Sequence, residues 1–187
     1  KPSAALLGST LLGGPHITLV NAAVKRERKI GLNGRATRAM TELFNLFDIL
    51  VAGDGEDAVF EALQPGARFV DADDPKSAMF LTNERLNELP FPARHLVDIH
   101  SYHYSIEGVP ASSMIAQLGC AFGCTFCSGR NSPMLRRIRM RTTENVVAEI
   151  RHLHDVYGFN ALMLYDDETN INPQMVPILK PQTNIRV

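Results

Sequence analysis

The chain has 187 residues, 45% hydrophobic and 21% charged, a composition that excludes a disordered or fibrous protein and supplies material for a packed core. Lys and Arg total 19 against 20 Asp and Glu, so a net charge of -1 gives no global pull toward nucleic acid or an anionic membrane. No apolar run reaches the roughly 20 residues that span a bilayer, and KPSAALLGSTLLGGPH is too short in apolar length for a signal peptide, so a cytoplasmic protein is expected.

In chain order, apolar Ala4 to Leu12 reads as a strand that runs into Gly13-Gly14-Pro15, and a polar stretch with KRERK at 25 to 29 follows as a solvated face. Ala36, Met40, Leu43, Phe44 and Phe47 fall at helical spacing, DILVAG at 48 to 53 reads as a short buried strand, and a helix is expected from Gly55 to about Leu63. Alternating strands and helices predict a parallel α/β layer in residues 1–66. Scattered prolines and acids make 67–112 read as a linker. Residues 113–187 form a second βαβ module: a strand over Ser113 to Leu118, a helix over Thr142 to Tyr157 capped by Thr142 or Thr143, and a strand over Ala161 to Tyr165.

All three cysteines fall in LGCAFGCTFCSGR, between the first strand and the helix of the second module. An odd number packed so closely argues against a secreted disulfide framework and for a metal or redox site in a reducing compartment. Three thiolates from one loop suit an iron-sulfur cubane with one iron left open to an outside ligand. The alternatives are a structural zinc site completed by His103, His152 or His154, and a redox pair made by Cys124 and Cys127. Gly123 and Gly129 allow the loop to fold tightly.

The C-x3-C-x2-C run of Cys120, Cys124 and Cys127 after a strand resembles the signature of the radical S-adenosylmethionine superfamily. The resemblance implies a 4Fe-4S cluster on these cysteines, with the open iron chelated by S-adenosylmethionine. An electron from a donor such as a flavodoxin or ferredoxin then releases a 5′-deoxyadenosyl radical that attacks a small-molecule substrate. By the same resemblance Phe126 lies near the adenine, and the end of the second barrel strand contacts the S-adenosylmethionine amino group. That end reads Asp166-Asp167-Glu168 here, where the family commonly has a Gly-Gly-Glu-like stretch; acids capping the next helix are the plain alternative. Arg130, Arg136, Arg137, Arg139 and Arg141 form a basic cluster from which one or two could neutralise a cofactor carboxylate or an anionic substrate.

Gly53-x-Gly55-x-x-Ala58 after a strand satisfies the weak dinucleotide fingerprint, but the acid expected about 20 residues on falls only at Asp71 to Asp74, in the linker, so NAD is the weaker reading. LGGPH at 12 to 16, FDILVAGDGED at 47 to 57 and LPFPARHLVD at 89 to 98, followed by the cysteine loop and DDET, resemble in their order the cobalamin-binding branch of the superfamily. That resemblance implies Gly13, Gly14, His16, Gly53 and Gly55 near a corrin. Asp98-Ile-His100-Ser-Tyr-His103 lacks the glycine of the cobalt-ligating pattern, so no cobalt ligand is assigned. The chain is expected to hold the C-terminal part of a Rossmann-like cobalamin-binding-type domain and the start of a radical SAM (β/α) barrel, a fragment of a longer enzyme. Methyl transfer or a cobalamin-assisted ring rearrangement is the expected reaction. A non-catalytic zinc module and a truncated, inactive relic are the competing readings.

Overall fold

A computed structural model describes residues 8–168 and Pro173. In chain order the elements begin with β1 (Leu11–Leu12), α1 (Pro15–Lys29), α2 (Arg35–Leu46), β2 (Ile49–Ala52), α3 (Ala58–Ala62), β3 (Phe69–Asp71) and α4 (Asn83–Glu88). They continue with β4 (Ser105–Ile106), β5 (Val109–Met114), β6 (Gln117–Leu118), α5 (Pro133–Arg136), β7 (Arg139–Met140), α6 (Thr143–Tyr157) and β8 (Ala161–Leu164). The described residues divide into two compact units: one runs to Leu81 and takes in Ala121–Arg137, the other comprises Thr82–Cys120 and continues from Ile138.

The first unit is built on a parallel sheet of order β1-β2-β3, with Leu11 opposite Ile49 and Leu50 opposite Phe69. Successive side chains of a strand point to opposite faces, and β2 is apolar on both because both are covered. Leu50 and Ala52 pack with Ile17 and Val24 of α1 and Met40 of α2, while Ile49 and Val51 pack with Ala58 and Ala62 of α3. The charged run after α1's apolar stripe does more than meet solvent. The Glu27 carboxylate accepts hydrogen bonds from the Gly34, Ala36 and Thr37 amides (3.1, 2.9 and 2.9 Å) and from the Thr37 hydroxyl (2.6 Å), so it serves as the N-terminal cap of α2. The Thr37 hydroxyl is the largest cause that lowers its pKa to about 2.

The second unit pairs β5 and β8 in parallel, Ala111 opposite Ala161 and Met114 opposite Leu164, with β4 added antiparallel to β5. Val146, Ile150 and Leu153 put one stripe of α6 against Met114, Ala116, Phe159 and Leu162. Thr142 caps α6 by accepting from the Asn145 amide (3.2 Å), and Gly158 ends it in the left-handed region at φ 72°. Glu149 lies in the same buried stripe, 1% exposed, and forms ion pairs with Arg94 (2.7 Å) and Arg141. Those guanidiniums also donate to the Ser113 and Ile115 carbonyls (3.2 and 2.8 Å), fixing the end of β5. The α/β architecture with parallel sheets matches the expected class; no closed barrel is formed among the described residues.

Three expectations need correction. The first strand is only Leu11–Leu12 among the described residues, and Ala4 to Leu7 lie outside them. The strand placed over Ser113 to Leu118 is instead β5 from Val109, and Gln117–Leu118 pairs separately with β7. Pro110 and three small residues hid β5: proline cannot donate to a ladder, yet here its carbonyl still accepts from Asn160 (3.2 Å). The stretch 67–112 is not structureless, since it carries β3, α4 and the β4–β5 hairpin.

Candidate functional site

The cysteine loop is anchored differently at its two ends. On the Cys120 side, β8 ends in carboxylates that grip the backbone leading to the cysteine. Asp166 accepts from the Ala116 amide (2.8 Å), Asp167 accepts from the Gly119 amide (3.1 Å), and the Gln117 side chain donates to the Glu168 carbonyl. Gly119 needs its positive φ of 81° to make this turn. Burial raises the pKa of Asp166 despite the amides it accepts from, and its second oxygen is buried without a hydrogen bond. Asp166 to Glu168 therefore stand at the carboxyl end of a parallel strand, where α/β folds place working residues, and two of the three carboxylates already support the loop.

On the other side, the Cys127 amide donates to the Cys124 carbonyl (3.1 Å), closing a tight turn that begins and ends on a cysteine. Cys124 and Cys127 are exposed, Cys120 is half-buried, and all three are free thiols. Phe126, between the last two, is 91% exposed. Gly129 is packed so closely that a Cβ would lie 3.0 Å from Leu135 and 3.6 Å from the Cys127 sulfur, whereas Gly123 faces open space. Arg136 donates to the Ala121 carbonyl (2.7 Å) and Arg130 to the Thr125 carbonyl, so both stiffen this arm. The other members of the basic cluster are also engaged by the protein: Arg137 lies over Phe80 (5.5 Å), Arg139 is buried and Arg141 holds Glu149.

The donor chemistry fits an iron-sulfur cubane, which takes cysteine thiolates, here three from one loop. Among the described residues no three His, Cys, Asp or Glu side chains stand together as a ready metal cage. Two histidines of the zinc alternative have other work: His152 sits between Phe91 and Tyr157 (5.8 and 5.5 Å), and His154 Nδ1 meets the Phe159 carbonyl (3.3 Å). His103 is exposed in a left-handed turn.

At the carboxyl edge of the first unit's sheet, Gly14 and Gly55 face open space and His16 is exposed in the first turn of α1. Gly13 makes only ordinary contact with Val51 (3.7 Å). Gly53 is different: at φ 96°, its Cβ would lie 2.3 Å from the Ala72 carbonyl carbon, so its missing side chain lets two strand ends close on each other. Asp71 ends β3 and is not in a linker, but Lys25 (2.7 Å) and Asn21 (3.0 Å) hold its carboxylate where a dinucleotide ribose would need it. Two functional-looking features escaped sequence reasoning. Buried Asp73 gave no signal inside the run DADD; Glu149 gave one, an acid at helical spacing within the apolar stripe of α6.

Fold and loop together define an α/β protein with three free cysteines in one loop. Residues 114–185 match the model of the Radical SAM superfamily. That superfamily implies S-adenosylmethionine and a 4Fe-4S cluster as cofactors. The chain is similar to an uncharacterized methyltransferase of Pyrococcus horikoshii, with 25% identity over 178 residues, 87% of this chain and 34% of that protein. It is also similar to the cytidylyl-2-hydroxyethylphosphonate methyltransferase of Streptomyces wedmorensis, with 30% identity over 99 residues, 49% of this chain and 18% of that protein. The chain thus spans about a third of the first relative and less than a fifth of the second. No solved structure matches it.

Proposed function

We propose that this chain supplies the S-adenosylmethionine-activating part of a radical methyltransferase. The observation that carries the reading is the set of three free thiols at Cys120, Cys124 and Cys127 inside the segment that matches the superfamily. A 4Fe-4S cluster with one open iron supplies reductive cleavage of S-adenosylmethionine and thereby starts radical chemistry on a small molecule. The three thiolates are its ligands on this chain. Phe126 offers a solvent-facing ring for the adenine, and Asp167 and Glu168 offer acceptors for the amino group of S-adenosylmethionine. Asp166 contributes from behind, by holding the Ala116 amide.

Methyl transfer is favoured over ring rearrangement because both relatives are named as methyltransferases. Cobalamin as the methyl carrier belongs to the same proposal: it would meet the open glycines Gly14 and Gly55, with Gly13 and His16 nearby in the chain. A cytoplasmic setting with a flavodoxin- or ferredoxin-type electron donor suits three thiols kept free for a metal.

The test is anaerobic reconstitution with iron and sulfide, read by visible absorbance and by electron paramagnetic resonance of the reduced protein. About four irons per chain, and a reduced signal that shifts on adding S-adenosylmethionine, are expected. Serine at any of the three cysteines should abolish that shift. A colourless protein that retains one zinc would overturn the reading and leave a structural metal module.

A further inference from the structure

Asp73 is a fully buried acid for which the proposed chemistry has no use. It lies two residues beyond β3, and its Oδ1 accepts from the Ser132 hydroxyl (2.6 Å) and the Met134 amide (2.9 Å). Its own amide donates to Asp71 (3.2 Å), while its Oδ2 is buried without a hydrogen-bond partner. A carboxyl kept from water with one oxygen unsatisfied is unfavourable by more than two ordinary hydrogen bonds return. Its presence calls for an explanation in what it holds.

What it holds is the arm carrying the last cysteine. Ser132 is itself fully buried, caps α5 by accepting from the Leu135 amide (3.2 Å), and donates its own amide to Gly129 (2.9 Å). A single 3-10 turn, Ser128–Asn131, connects it back to Cys127. One carboxylate oxygen therefore fixes the base of a short rigid run whose other end is a thiol. Burial raises the pKa of this carboxyl, but Oδ1 can accept from Ser132 and Met134 in either protonation state.

We propose that Asp73 is a positioning residue for cluster assembly: by gripping Ser132 and Met134 it sets where Cys127 projects, across 54 positions of sequence (127 minus 73). The role rests on the iron-sulfur reading and adds to it a residue outside the matched segment. It does not require Asp73 to touch cofactor or substrate.

The test uses the full chain and four variants: D73A, D73N, S132A, and V70A as a control that removes buried volume from the same sheet without touching the latch. In D73A, which loses both hydrogen bonds to Oδ1, amide hydrogen exchange at Ser132, Met134 and Leu135 should quicken at least about tenfold relative to V70A. The reconstituted cluster should be lost to a chelator faster by a similar factor. D73N keeps Oδ1 and should recover part of both effects, and S132A, which removes one donor to Asp73 together with the α5 cap, should move both in the same direction. Exchange and cluster lifetime in D73A and S132A that merely track global stability, as V70A does, would overturn the role. A wild-type chain that takes up no iron and sulfide would overturn the iron-sulfur reading and this role with it. A wild-type cluster that D73A leaves unchanged would overturn only this role.

Discussion

Glu27 shows how much a single side chain can carry in a run that reads as plain surface charge. KRERK looked like a solvated face, yet Lys25 pairs with Asp71 and Glu27 caps α2 with four hydrogen bonds. Its folded pKa of about 2 lies below the ordinary 4.5, so the stability it contributes is present above about pH 4.5 and is lost as pH falls toward 2. Urea midpoints measured across that window should decline in the wild type, and E27Q should lack that part of the decline while being less stable at neutral pH. Phe126 is the opposite case, legible from its place beside Cys127 and almost wholly exposed. F126A should change the unfolding free energy read from urea titrations by less than about 0.5 kcal/mol, as exposed substitutions do, while weakening the S-adenosylmethionine-induced shift of the reduced cluster signal.

At the scale of elements, periodicity found α2, β2, α6 and β8 because each has an apolar stripe or run that matches its own repeat. It missed β3 and β5, whose strand character comes from their partners: β3 is three residues long and β5 is mostly small side chains with a proline. The glycines of the G-x-G turn were legible as a pair but not as unequal. G53A places a Cβ against the Ala72 backbone at a positive φ, so it should destabilise by at least about 2 kcal/mol. G55A meets open space at an ordinary φ and should shift the thermal midpoint little. If the two variants melt alike, the close approach of the β2 and β3 ends is not what selects glycine there.

Across the whole chain, the cysteine motif and the superfamily that residues 114–185 match were legible because ligand chemistry is written locally, in thiols at close spacing. The assignment of Ala121–Arg137 to the unit that begins the chain was not, since it depends on contacts such as Asp73 with Ser132 that no local pattern announces. Because a metal centre binds the folded loop and not the unfolded chain, loading with iron and sulfide should raise the melting temperature, and a chelator should reverse the gain. Equal melting curves with and without the cluster would show that the folded chain holds it no more tightly than the unfolded one.

The buried trio of Arg94, Glu149 and Arg141 constrains how this protein can diverge. Removing Glu149 strands two guanidiniums in the interior, a change of several kcal/mol, whereas losing either arginine leaves a neutral pair and replacing all three with apolar groups of matching volume can be neutral. Single-step routes that begin at Glu149 therefore pass through a poorly folded intermediate. In an alignment of descendants an acid at position 149 should keep at least one of the two guanidiniums, and a sequence keeping Glu149's acid without either guanidinium should mark a lineage in which another cation has moved in.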